Sequence, residues 1–255
     1  MSLPLPARVS DSYGKVIDLR SRQSARLRDL VTEIGVIRER VCRTTERFTH
    51  SVLVLDDDPD VVQSLRNLLT TELPGIPVYG ATSCEEGKAL WDRHRCGVVI
   101  ADFLLGGGYD GVEFLHSLGR SPEAILISGV SDAETLRRAA MVAGAEAMPK
   151  PCVGISDLVL SLMDRRFGTL SLTTDGRKWV KVSSGWATEL GYPQGTLEEM
   201  SWDHLSPDGT PALGDTARTF TSRVRAVDGS IKNFQWMCSP RCEGGLYYCS
   251  AQVVS

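Results

Sequence analysis

The chain has 255 residues, a net charge of −4, 42% hydrophobic and 24% charged residues; this is the balance of a soluble globular protein with room for two domains. It contains no run of about 18 apolar residues, and residues 1–5 are too short and uncharged for a secretory signal, which excludes a helical membrane protein and leads to the expectation of a cytoplasmic one. Seven cysteines (Cys42, Cys84, Cys96, Cys152, Cys238, Cys242, Cys249) are odd in number and lack paired CxxC spacing, so they read as reduced packing residues.

Charge is unevenly spread. Ten basic against six acidic residues give +4 over 1–49, ten against 17 give −7 over 50–168, and eight against nine give −1 over 169–255. The basic first segment could suit nucleic acid or an anionic membrane, but Asp29, Glu33, Glu39 and Glu46 interleave with its arginines. A solvated helix face explains that better than either partner.

Residues 1–20 hold two prolines, a glycine and no sustained period, and read as a loose arm. From about Ser21, Leu27, Leu30, Ile34, Ile37, Val41 and Phe48 recur at alternating spacings of three and four, interrupted by Thr44. That is a narrow heptad seam, which predicts a coiled-coil helix and a homodimer.

The run Ser51-Val52-Leu53-Val54-Leu55 reads as a strand buried on both faces, and it ends in Asp56, Asp57 and Asp58. Two such charges about 4 Å apart repel by about 4 kcal/mol at an effective dielectric of about 20. A divalent cation removes that repulsion, and oxygen-only ligands favour Mg²⁺ over zinc. An N-capping Asp before a helix begun by Pro59 accounts for one of the acids. A helix over 61–72 follows, then a strand over 77–81, a helix over 84–94, a buried strand over 97–101 ending in Asp102, a helix over 112–118, a strand over 124–127 ending in Ser128, a helix over 132–142, a strand over 145–148 before Lys150, and a helix over 155–166. Five strand–helix repeats predict a doubly wound parallel sheet. Its C-terminal rim collects the acids, Asp102, Ser128 and Lys150.

Val52-Leu53-Val54-Leu55-Asp56-Asp57, Val99-Ile100-Ala101-Asp102, Ile127-Ser128-Gly129 and Pro149-Lys150-Pro151 resemble the receiver domain of two-component response regulators, over roughly 51–167. The resemblance implies a flavodoxin-like fold and a signalling role rather than an enzyme's. Asp102 would accept a phosphoryl group from a sensor histidine kinase, Asp57 and Asp102 would bind Mg²⁺ directly, Asp56 through water, and Leu104 through its backbone carbonyl. Ser128 would contact the phosphoryl group and Lys150 would pair with it. The chemistry agrees: a carboxylate can accept phosphate covalently, and charge developing on the transferred oxygens calls for a metal and a fixed cation opposite. Three departures stand out. The loop after Asp102 is one residue longer before Asp110-Gly111 and lacks the common proline, the 144–150 segment is one residue shorter, and Ala147 occupies the position of the family's switch aromatic.

From Thr169 the pattern turns antiparallel. A strand over 179–182, a short helix over 183–191, a loop-rich stretch over 192–216, and strands over 219–227, 231–237 and 247–254 with a hairpin turn at Asp228-Gly229 predict an α+β domain. Residues 179–192 and 226–236 resemble a PAS domain, and the short connection between Leu205 and Phe220 predicts a small or absent ligand pocket. His204 could be a haem ligand, but Trp202-Asp203-His204-Leu205 fits better as a packing segment. Cys238, Cys242 and Cys249 lack a fourth metal ligand. The expected organisation is an arm and coiled-coil helix over 1–49, a receiver over 50–168 and a PAS domain over 169–255. Two other readings are an Asp-nucleophile, Mg²⁺-dependent phosphatase of the haloacid-dehalogenase type, which needs a further acidic motif after the lysine whereas Asp157 and Asp164 lie on an apparent amphipathic helix away from the rim, and an unphosphorylated pseudo-receiver serving assembly. The kinase and the downstream effector are not legible.

Overall fold

The computed structural model describes residues 9–10, 16–17, 49–106, 110–119, 122–129 and 132–254. The chain divides into two units, Met1–Arg47 and Phe48–Ser255. In the first, Val9–Ser10 pairs antiparallel with Val16–Ile17, a short ladder inside the stretch expected to be a loose arm. The predicted coiled-coil helix and its seam lie outside the described residues.

The second unit opens with five strand–helix repeats. Strands β1 (Thr49–Leu55), β2 (Val78–Ala81), β3 (Cys96–Asp102), β4 (Glu123–Ser128) and β5 (Glu146–Pro149) alternate with helices α1 (Pro59–Glu72), α2 (Cys84–His94), α3 (Gly111–Ser117), α4 (Ala133–Ala143) and α5 (Ile155–Phe167). The sheet is parallel in the order β2-β1-β3-β4-β5, the flavodoxin-like doubly wound order. Alternation divides the apolar runs between two layers. Leu53, Leu55, Val99, Ala101 and Leu126 face α2, α3 and α4, and Val52, Val54, Ile100 and Ile125 face α1 and α5. Each of these valines, leucines and isoleucines, fully buried, contributes roughly 1.5–3 kcal/mol.

The second half is a five-stranded antiparallel sheet, built from β6 (Leu170–Thr174), β7 (Trp179–Val182), β8 (Arg218–Arg225), β9 (Ile231–Cys238) and β10 (Tyr247–Val254) in the order β8-β9-β10-β6-β7. One face is covered by α6 (Ser184–Leu190), α7 (Gln194–Leu197) and α8 (Trp202–Leu205). Trp179, Trp186, Trp202 and Trp236 fill that space, with Trp236 ring centroids 5.3 Å from Trp186 and 4.9 Å from Trp202. Trp202 and Leu205 are buried while His204 is exposed, so this segment packs the fold.

Three expectations are corrected. Cys238 and Cys249 form a disulfide where reduced thiols were expected; they are cross-strand partners on β9 and β10 with Cα atoms 4.1 Å apart, a proximity set by register and hidden by their spacing in sequence. Strand β6 was not foreseen, because Ser171, Thr173 and Thr174 are polar yet buried. The turn after β8 is wider than a two-residue hairpin, since Ala226 donates its N–H to the Ser230 carbonyl. The helices and strands of the parallel half shift by one or two residues at most, β1 starting at Thr49 and α1 at Pro59.

Candidate functional site

Parallel pairing brings four strand ends to one rim. Leu55 pairs with Ala101, Asp102 with Ile127, and Ser128 with Pro149, so Asp56, Asp102, Ser128 and Lys150 converge as expected. Asp56, Asp102 and Ser128 are buried. Lys150 extends across them, its Nζ 2.7 Å from Asp56 Oδ2 and 2.7 Å from Asp102 Oδ1. Its own backbone N–H donates to the Ser128 carbonyl at 2.8 Å, which fixes the lysine's origin on the rim.

Backbone donors orient the remaining acid oxygens. Leu104 N–H donates to Asp102 Oδ2 at 2.8 Å and Asp58 N–H to Asp56 Oδ1 at 3.0 Å. Asp58 itself caps α1, accepting from Asp60 N–H, with Pro59 at the first helical turn. The three adjacent acids therefore have different functions, one structural and two at the rim.

Burial pushes the Asp102 carboxyl above the usual carboxylate range, and neighbouring Asp56 pushes the same way; the Lys150 hydrogen bond and charge pull it back only in part. For Lys150, burial opposes the charge, but hydrogen bonds to Asp102 and Asp56 outweigh it and hold the ammonium above its ordinary value. Asp102 is thus a desolvated anion short of positive charge.

A divalent cation would meet that shortage. The oxygens of Asp56, Asp57, Asp102 and the Leu104 carbonyl would be its donors, an all-oxygen chemistry that suits Mg²⁺. Among the described residues no three acid, His or Cys side chains already converge on one point. The Asp57 Oδ2 instead accepts from Gly106 N–H at 3.1 Å, in the loop that follows Asp102. A Cβ at Gly106 would stand 3.0 Å from that oxygen. Gly106→Ala should therefore displace the Asp57 carboxylate and, on the proposal that Asp57 is a ligand, tighten Mg²⁺ binding several-fold, since a hydrogen bond typically contributes about 1 kcal/mol net. Calorimetric titration with Mg²⁺ checks this; equal affinities would show that the loop does not compete for Asp57.

Gly111 explains how close α3 comes to Asp102. Its N–H donates to Phe103 O at 3.0 Å, and a Cβ there would stand only 2.2 Å from the Asp102 carbonyl, so no side chain fits. The Leu104 side chain is 54% exposed, at the outer lip of the rim. Asp157 pairs with Lys181 at 3.2 Å and Asp164 accepts from the Ser183 hydroxyl. Neither joins Lys150, so the extra acidic motif that a phosphatase needs is not supplied by them.

Residues 52–162 match the model of the response regulator receiver domain family. Over 136 residues the chain is 31% identical to the two-component response regulator PprB of Pseudomonas aeruginosa, an alignment covering 48% of each protein; the chain thus spans about half the length of the curated relative it matches. Solved structures similar to it include the receiver domain of the Francisella response regulator 1452, at 20% identity and a TM-score of 0.41, covering 46% of this chain and 98% of that one. Another is the PAS domain of an HTR-like protein from Haloarcula marismortui, at 13% identity and a TM-score of 0.33, covering 38% and 88%. Residues 52–162 are thus similar to a response regulator receiver domain, and the five-stranded parallel sheet fits that fold. No helix among the described residues is long and apolar enough to cross a membrane.

Proposed function

We propose that the chain is a response regulator whose Asp102 accepts one phosphoryl group from a sensor histidine kinase and passes the resulting change to the C-terminal sheet. The observation that carries this reading is the Lys150 ammonium shared between Asp56 and Asp102 at 2.7 Å each. Asp102 would be the nucleophile, already oriented by Leu104 N–H. Lys150 would follow the charge onto the phosphoryl oxygens, and Ser128 would meet the group from the β4 end. Mg²⁺, held by Asp57, Asp102 and the Leu104 carbonyl, with Asp56 acting through water, would supply further charge neutralisation at the transferring oxygens. Phosphoryl uptake from a small phosphodonor, followed by intact mass, tests the reading.

The lifetime of the phosphorylated state would depend on Leu104. Its aliphatic side chain cannot orient an attacking water, and a positioned water is worth up to about 100-fold in such catalysis. Leu104→Asn should dephosphorylate faster, by up to that factor; equal decay rates in a timed assay at fixed Mg²⁺ would place control of water elsewhere.

The antiparallel sheet with short helices over one face supports a PAS-type module as the output side. Its indole-filled interior supports packing rather than ligand binding. The heptad seam of the N-terminal segment supports a homodimer, and deleting residues 1–47 should lower the number of chains per particle measured by light scattering from two to one. An unchanged number would remove that part of the proposal.

A further inference from the structure

Helix α5 serves both halves of the second unit. Val159, Leu160 and Met163 pack into the parallel sheet's core, while the Asp164 carboxyl turns to the antiparallel sheet. There its Oδ2 accepts from the Ser183 hydroxyl, whose Oγ in turn accepts from the Ser171 backbone N–H at 3.3 Å. Tyr248 of β10 completes the contact: its hydroxyl lies 2.9 Å from Ser171 Oγ and its ring is part of the parallel sheet's own core cluster. The two halves share this seam.

The seam is poorly satisfied. Asp164 Oδ1 is sealed from solvent without a hydrogen-bond partner, as are Thr169 Oγ1, Thr173 Oγ1 and His50 Nε2. His50 belongs to the same region, with its ring stacked 3.7 Å from Phe167 at the end of α5 and 6.2 Å from Tyr248. Nearby cations are engaged elsewhere. Lys181 of β7 pairs with Glu72 and Asp157, and Arg165 with Glu123 and Glu146. Burial keeps the Tyr248 phenol above its ordinary value and the His50 imidazole below its own, so both are neutral at neutral pH.

We propose that this seam is a proton-operated latch in which neutral Asp164 holds the antiparallel sheet against α5 and ionised Asp164 loosens it. A buried carboxylate without a cation is costly, whereas the neutral acid carries a proton it can donate to the seam's hydroxyls. Burial pushes this carboxyl from 3.8 up to about 6, the Ser183 hydrogen bond opposing in part. The sign follows: the closed seam favours the protonated form, so closure is firmest below about pH 4, weakens as pH rises to about 6 and then levels off. The full difference corresponds to up to about 100-fold in the closed-to-open ratio. None of this depends on phosphoryl chemistry at Asp102.

Hydrogen–deuterium exchange of the full chain, corrected for the intrinsic pH dependence of exchange, tests the latch. Protection over 155–174 should fall about tenfold between about pH 5 and about pH 7.5. Asp164→Asn should abolish that dependence and give at least about tenfold greater protection at the higher pH. Ser183→Ala removes a donor to the carboxylate and should move the transition to higher pH, a second reading should the Asn variant not fold. The same pH dependence in the parent and Asp164→Asn, or an unmoved transition in Ser183→Ala, would overturn the proposal.

Discussion

Lys150→Ala should abolish phosphoryl uptake and lower stability at neutral pH by about 3 kcal/mol, the scale of breaking a buried ion pair from one side. The loss is large because one ammonium serves two carboxylates: Asp56 and Asp102 would both stay buried with their shared counter-ion gone. Its pH dependence has a definite sign. Asp102 already lies above the usual carboxylate range, and without Lys150 it would rise further. A carboxyl raised in the folded state contributes most below its unfolded value and less as pH climbs through the folded one. The variant's deficit should therefore shrink on acidification, as denaturant unfolding at two pH values would reveal; a deficit independent of pH would mean that lost packing, not uncompensated charge, is the cause.

Asp102→Asn should have the opposite effect on stability while being as damaging to uptake. It removes a desolvated anion beside Asp56, leaves Lys150 paired with Asp56 at 2.7 Å, and keeps an oxygen for the Leu104 N–H. Thermal unfolding at neutral pH should show a midpoint a few degrees higher, corresponding to about 1 kcal/mol. A lower midpoint would show that Asp102, as a charge, supports the apo fold.

The parallel half was largely legible because its signals are local and repeated. Two-sided burial writes an unbroken apolar run into β1, β3 and β4, and each run stops at a polar residue of the rim: Asp56, Asp102 and Ser128. Position along a strand then determined position in space. The antiparallel half was harder for a physical reason. Strand β6 is buried on both faces, against Leu172's indole-lined core on one side and against α5 on the other, and its second face is Ser171 and Thr173. Polar residues that are buried in a seam look like solvated ones in sequence. Register hid the Cys238–Cys249 pairing in the same way, and the hydrogen bond from Gly106 to Asp57 spans two loops that no periodicity connects.

The intact mass of the chain after treatment with a small phosphodonor tests most directly the proposal that Asp102 is the acceptor on a rim where Lys150 and Mg²⁺ balance charge. The parent should gain the mass of one phosphoryl group with Mg²⁺ and none with a chelator, and Asp102→Asn should gain none under either condition. Labelling that persists in Asp102→Asn but disappears in Asp56→Asn would contradict the assignment.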